Sequence, residues 1–170
     1  DDAKKVLGPD GALEVLIKAR DKGLIRHIGF STHSEEAAIY LMEQFEFESV
    51  LFPLNWVNMF NSSFGKQIIE KALEKNITML ALKGMAKTAW EEGKERKYSK
   101  CWYEPIDNED LAKLAIRYTL SKPITAAITP GYIKFFRWAI DVAQDFIPLS
   151  EEEENKLLTL SKGLKPIFPQ

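Results

Sequence analysis

Gly23-Leu24-Ile25-Arg26-His27-Ile28-Gly29-Phe30-Ser31 is the stretch on which the fold turns. Residues 25–30 form a short, mostly apolar run that ends at the polar Ser31-Thr32-His33, the pattern of a strand leaving into a turn. Upstream, residues 10–23 carry Ala12, Leu13, Val15, Leu16 and Ala19 at helical spacing, with Gly23 placed to end the helix. Downstream, Ser34 predicts an N-cap, because its hydroxyl can accept from a free N–H of the first turn. Glu35 and Glu36 complement the positive end of the helix dipole there. Ala38, Leu41, Met42 and Phe45, spaced i, i+3, i+4, i+7, form its inner face.

The alternation continues to the end of the chain. Residues 50–53 predict a strand closed by Pro53, and residues 62–75 a helix with Ile68, Ile69, Ala72 and Leu73 inward and Asn76 at its C-terminal turn. Residues 77–82 predict a third strand, and residues 84–107 a long connection. Asn108 caps a helix with Leu111, Leu114, Ala115 and Tyr118 inward, and Pro123 stops it before a fourth strand at 124–128. After Pro130-Gly131 comes a helix with Phe136, Ala139, Ile140 and Ala143 on one side. Ser150 and Glu153 make a capping-box pattern before an extra C-terminal helix that stops near Gly163. Apolar strands alternating with helices imply an α/β fold with a parallel sheet buried on both faces. An open doubly wound sheet and part of a closed barrel both satisfy this pattern. No G-x-G-x-x-G turn follows any strand, which lowers the dinucleotide-binding doubly wound reading, and four strands are half of those that close a (β/α)8 barrel.

Composition bounds the function. The 170 residues are 45% hydrophobic, enough to bury a core as one domain. A net charge of −2 gives no electrostatic reason to expect nucleic acid or an anionic membrane surface as partner. The longest acidic run, residues 151–154, reads as the first turn of the last helix. Cys101 is the single cysteine, so there is no disulfide framework and no cysteine cluster for zinc or iron–sulfur. No apolar stretch reaches the roughly 20 residues of a membrane span, and the expected setting is soluble and cytoplasmic. The sequence opens on Asp1-Asp2 rather than methionine, which leads us to expect a removed or internal start.

The opening stretch resembles the "G-x-I-R-x-I-G-x-S" strand-five signature of aldo-keto reductases. Leu51-Phe52-Pro53-Leu54-Asn55 is similar to the family's strand-six "Q-x-x-Y-N" element, and Thr78-Met79-Leu80-Ala81-Leu82-Lys83 to a strand-seven "V-I-A-M-K" variant of bacterial members. Residues 115–121 followed by Ile128-Thr129-Pro130-Gly131 resemble "A-L-R-F-x-L-S … I-P-G". Order and spacing fit from about residue 10 to residue 145. The resemblance implies the C-terminal half of a (β/α)8 TIM barrel: residues 1–149 holding strands five to eight and residues 150–170 an extra helix and tail. It also implies an oxidoreductase that moves a hydride between NADPH and an aldehyde or ketone. The family's catalytic Asp, Tyr, Lys and His all precede strand five, and His27 and His33 match none of them, so this chain lacks the set.

Cofactor positions are a different matter. By the resemblance, Ser31-Thr32 stand where a Ser-Asn pair holds the nicotinamide carboxamide, although threonine lacks the amide's donor and acceptor pair. Asn55 matches the strand-six Asn and reads equally as an Asx-turn residue; Leu51 replaces the Gln and Leu54 the Tyr. Lys83, at a strand end, is placed to reach a pyrophosphate or simply to be solvated. Gly131 opens a helix N-terminus, whose free N–H groups suit phosphate. Arg137 aligns with the arginine that grips the adenosine 2′-phosphate, which favours NADPH, and Asp141 occupies the position of an adenine-contacting Asn. Lys134 adds charge nearby, whereas Tyr132 and Ile133 replace small polar residues.

The loop Lys100-Cys101-Trp102-Tyr103-Glu104-Pro105, with Trp90 and Tyr98, reads either as a wall of a ligand site or as a self-packed surface loop. Phe135, Phe136 and Trp138 read as packing. Some bacterial members of the family that resemble this sequence carry a C-terminal iron–sulfur segment of clustered cysteines, and this sequence has none. Four strands taken from a barrel leave two unpaired edges and an apolar face, so association is expected, with a missing N-terminal half or with a second copy. Three functions stay open: the cofactor half of a carbonyl reductase, a non-catalytic NADPH-binding or regulatory module, and a folding fragment without activity.

Overall fold

The computed structural model describes residues 2–93 and 95–169, so Asp1 of the opening pair lies outside the described residues. Two short helices come first, α1 (Asp2–Leu7) and α2 (Ala12–Asp21), followed by β1 (Gly29–Ser31), α3 (Glu35–Gln44) and β2 (Ser49–Pro53). Then come α4 (Trp56–Asn61), α5 (Lys66–Glu74), β3 (Thr78–Leu82), β4 (Ala86–Ala89) and β5 (Tyr103–Pro105). The chain ends with α6 (Glu109–Leu120), β6 (Ala126–Ile128), α7 (Ile133–Gln144) and α8 (Glu151–Ser161).

The main sheet has four strands in the order β1-β2-β3-β6, every pair parallel. Strand order follows chain order without the reversal that a doubly wound sheet requires, so the sheet is a part of a (β/α)8-like barrel. Register sorts its side chains into two faces. Phe30, Val50 and Met79 share one row, and Phe52, Ala81 and Ala127 another. These rows pack under Ala38 and Met42 of α3 and Ile68 and Ala72 of α5 in the main core. The alternate rows, Ser31-Leu51-Leu80-Ala126 and Pro53-Leu82-Ile128, face the side that a closed barrel would enclose.

Strands buried on both faces were the expectation; only β2 and β3 approach it. Among the described residues, outer strands β1 and β6 have no neighbour on one side, and Ile128 is 50% exposed. Strand β1 is also shorter than residues 25–30. Ser49 presses on Gly29, where a Cβ would lie 2.1 Å from the Ser49 hydroxyl, and pairing holds only from there to Ser31. Before it, Glu48 takes over the ladder: its N–H donates to Ile28 O and its carboxylate accepts from Ile28 N–H.

Caps form where side chains can make them. Ser34 accepts from Ala37 N–H, Asn108 from Leu111 N–H, and Ser150 with Glu153 completes a capping box. Several features depart from expectation, Leu73 of α5 among them: read as inward, it is exposed. The predicted helix at 62–75 is shorter: it is α5, which begins only after Gly65 turns the chain at φ 99°, and an unpredicted helix, α4, capped by Asn55, precedes it. The 84–107 connection contains the antiparallel β4–β5 ribbon. Helix α7 buries Phe135 and Val142, with Trp138 and Ala139 partly covered, whereas Phe136 and Ile140, expected inward, are exposed. The connection decides that face, since Tyr98, Cys101 and Tyr103 pack on Phe135.

Helix α8 folds back so that Leu157 joins Trp56, Val57, Ile106 and Ala112 in a second core. The segment after it is tied across α4: Asn61 Nδ2 donates to Ser161 O (2.8 Å) and Leu164 O (2.9 Å). Ile167 N–H donates to Asn58 Oδ1 (3.1 Å), and Ser62 Oγ to Phe168 O (2.9 Å). Lys165 exchanges bonds with Thr88 of β4: its N–H donates to the Thr88 hydroxyl, which donates to Lys165 O. This strap carries the last residues over the C-terminal ends of the strands.

Candidate functional site at the strand ends

Parallel strands of one sheet end on one side, so the residues just after them converge. Lys83 follows β3 with φ at +65°, a left-handed conformation that a non-glycine residue adopts at some cost, and its carbonyl accepts from Ala86 N–H (2.9 Å). Its Nζ lies 3.0 Å from His33 Nε2, 5.3 Å from the Trp102 ring centroid and 5.5 Å from that of Phe168. Each partner arrives on a different element: His33 from the turn after β1, Trp102 from the connection before β5, Phe168 from the strap. Phe168 in turn stacks on His33 (4.9 Å) and Phe64 (5.2 Å). His33 also borders an open groove of about 960 Å³ beside α3, lined by Glu36, Tyr40, Gln67 and Pro169.

No ion pair to Lys83 exists among the described residues. Burial without a counter-charge penalises the ammonium and brings its pKa down to about 8. Burial, and then the charge of Lys83, hold the His33 imidazole below its ordinary value. The cluster is therefore a half-buried amine hydrogen-bonded to a mostly neutral imidazole between two aromatic faces.

The residues singled out in the sequence fall into three groups. Ser31, Thr32 and Lys83 stand together at the strand ends. Thr32 N–H continues the ladder to Leu51 O (3.1 Å), and its hydroxyl accepts from Ser34 N–H (3.0 Å) and donates to Ser34 O (3.1 Å), fixing the turn that presents His33. Asn55 lies beside them, since Leu54 N–H donates to Leu82 O, but it is wholly buried. Its Oδ1 caps α4 by accepting from Asn58 N–H (2.9 Å), while its Nδ2 has no partner among the described residues.

Gly131, Lys134, Arg137 and Asp141 belong to α7. Gly131 is exposed with nothing within 4 Å of its Cβ position, and Tyr132, the N-cap, makes no side-chain cap bond, so the first N–H groups lack one. Lys134 is already engaged: it pairs with Asp107 and lies 4.7 Å from the Trp138 ring centroid. Burial raises the Asp107 pKa, but bonds from Lys134, Lys97 and Tyr98 outweigh it and hold the carboxyl below the usual range. Asp141 pairs with Lys113 at 3.4 Å. Arg137 is exposed, with no ion pair among the described residues. Phe168 was not legible as a site residue, because a strap contact 85 residues from Lys83 leaves no local pattern. Trp102 was legible only as an aromatic in a long loop. Among the described residues there is no group of three or more His, Cys, Asp or Glu able to hold a metal, and no helix long and apolar enough to cross a membrane.

No protein-family model and no curated protein matches the sequence. Solved structures match the fold. The holo form of aldo-keto reductase AKR11C1 from Bacillus halodurans superposes with a TM-score of 0.61 at 16% identity, over 93% of this chain and 58% of that one. Glycerol dehydrogenase AKR11B4 from Gluconobacter oxydans gives 0.57 at 20% identity, over 100% and 59%. The thermostable aldo-keto reductase Tm1743, in complex with the inhibitor epalrestat, gives 0.57 at 16%, over 87% and 53%. This chain thus has the fold of part of these barrels and spans less than three-fifths of their length.

Proposed function

We propose that this chain is the nucleotide-binding half of a cytoplasmic carbonyl reductase of the aldo-keto reductase type, with NADPH as cofactor. The observation that carries the reading is Lys83, a half-buried cation without a carboxylate at the C-terminal end of a parallel barrel strand. A buried charge needs a partner, and a pyrophosphate is one that the protein itself does not provide. Arg137, also without an ion pair among the described residues, supplies a planar donor fork for a 2′-phosphate.

The chain's own residues divide the work. Ser31 and Thr32 orient the carboxamide with hydroxyl and backbone groups, and Asn55 holds the loop beneath them. Lys83 neutralises the pyrophosphate, and the uncapped start of α7 at Gly131 adds backbone donors. Asp141 accepts from the adenine amino group once it parts from Lys113. Lys134 acts indirectly, by anchoring α7 to Asp107. The nucleotide, when bound, supplies the hydride. The proton for the carbonyl oxygen comes from residues outside this chain, in a partner that completes the barrel over Leu51, Leu80 and Ile128. Residues 1–149 form the barrel half and residues 150–170 the helix and strap.

Fluorescence titration with NADPH and NADH tests this reading. Saturable NADPH binding that Arg137→Ala weakens by about 10- to 100-fold, with NADH little affected, is the expected result. No binding of either nucleotide to the folded chain would overturn it.

A further inference from the structure

A lysine that bears no ion pair and sits against an imidazole acceptor has a chemistry that nucleotide binding does not use. We propose that the Lys83 amine is a nucleophile that forms an imine with small aldehydes and ketones, with His33 as its proton acceptor. The geometry carries this. The 3.0 Å contact between Nζ and His33 Nε2 gives the ammonium proton a place to go, and no carboxylate among the described residues pairs with Nζ to hold that proton. Trp102 at 5.3 Å and Phe168 at 5.5 Å displace water from the amine, yet Trp102 is itself 48% exposed and the inner side of the sheet beside Lys83 is uncovered, so a small carbonyl has a way in. The left-handed backbone at Lys83 fixes where the side chain starts. Its lowered pKa, about 8, agrees with this placement by leaving a sizeable neutral fraction at neutral pH.

The step balances within the site. Nζ passes one proton to His33 Nε2, and its lone pair forms a C–N bond to the carbonyl carbon while the carbonyl π pair moves onto oxygen. The now positive nitrogen gives up its second proton to the alkoxide, which leaves a neutral carbinolamine with a free lone pair on Nζ. His33 returns its proton to that hydroxyl, which leaves as water as the nitrogen lone pair closes the C=N bond. One carbonyl and one ammonium give one protonated imine and one water, and nothing is oxidised or reduced.

The inference does not depend on the nucleotide reading, and nucleotide titration is a separate measurement. The chain is incubated at pH 7.5 with dihydroxyacetone and sodium cyanoborohydride, which reduces an imine to a stable secondary amine, and labelled peptides are quantified by mass spectrometry. Lys83 is expected to label at least about tenfold faster than the median surface lysine, because its larger neutral fraction outweighs its lower basicity. His33→Gln is expected to slow that labelling several-fold while leaving the other lysines unchanged. In guanidinium, where the cluster is dispersed, the preference for Lys83 disappears. Labelling of Lys83 no faster than its surface counterparts, or a preference that survives unfolding, overturns the proposal. An unaltered rate in folded His33→Gln overturns the role of His33.

Discussion

Arg117 on α6 and Glu153 on α8 meet as a two-pronged pair, Nη1 to Oε1 at 2.5 Å and Nη2 to Oε2 at 2.9 Å. The same guanidinium donates to Ile147 O (2.8 Å) and Pro148 O (3.0 Å), so one side chain ties α6 to the α7–α8 connection and to the start of α8. The bond from Arg117, with that from the Ser150 N–H, brings the Glu153 carboxyl down to about 2. A depressed carboxylate pKa stabilises the fold above the unfolded value, and that contribution is lost as pH falls through the folded one.

Arg117→Ala is therefore expected to cost about 1–2 kcal/mol at pH 7, a modest figure because Glu153 is partly solvent-screened. The gap to wild type narrows as pH drops from about 4.5 towards 2. Urea denaturation at pH 7 and pH 3 checks both statements. A gap that widens in acid means that Glu153 is not the partner that matters.

Helix α7 supplies a second test, in adjacent phenylalanines. Phe135 is fully buried against Tyr98, Tyr132 and Trp138, and Phe136 is 48% exposed. Phe135→Ala is expected to cost about 3–5 kcal/mol, the range for removing a core aromatic. Phe136→Ala stays within about 0.5 kcal/mol, as at other surface positions. Thermal and urea unfolding of the two variants separate them, and equal losses contradict the assigned face.

That pair also marks where the sequence stops being legible. Alternation of short apolar runs with 3.6-period helices carried the parallel sheet, and caps at Ser34, Asn108 and Ser150 came from short-range hydrogen bonding that spacing reveals. Helix α7 carries aromatic and aliphatic residues on two stripes, and only contacts with a loop more than thirty residues away select Phe135 over Phe136. The β4–β5 ribbon was hidden for a similar reason, since Ala86-Lys87-Thr88-Ala89 has no strong strand signal and pairs with Tyr103-Glu104-Pro105 across a long loop. At the site, Ser31, Thr32 and Lys83 were readable because strand ends of a parallel sheet converge. Phe168 was not, because the strap that delivers it is held by Asn58 and Asn61 of the unanticipated α4 and by Ser62 just after it.

The two basic residues of α7 separate binding from anchoring. Lys134 pairs with Asp107, whose carboxylate also accepts from Lys97 and Tyr98, and Arg137 has no such tie among the described residues. Lys134→Ala is expected to loosen the connection and lower stability by about 0.5–1 kcal/mol, while NADPH affinity changes less than about threefold. Arg137→Ala does the reverse. Calorimetric titration with thermal unfolding of each variant checks the division, and a larger affinity loss in Lys134→Ala reverses the two roles.

The uncovered side of the sheet carries the last prediction. Among the described residues, Leu51, Leu80, Leu82 and Ile128 lie on the rows that no helix covers, and β1 and β6 each present an unpaired backbone edge. Burying apolar area gains about 25 cal/mol per Å², and an open parallel edge offers hydrogen bonds in addition. An isolated chain with both features gains by pairing, either with a barrel-completing partner or with another copy. The chain alone is therefore expected to sediment heavier than its 19.4 kDa. A lysine at Ile128, half exposed beside the β6 edge, places charge where a partner would have to bury it. Ile128→Lys should shift the population to monomer without changing the circular dichroism. A wild-type chain that sediments as a compact monomer at micromolar concentration contradicts the association, and the open face is then covered by rearrangement within the chain itself.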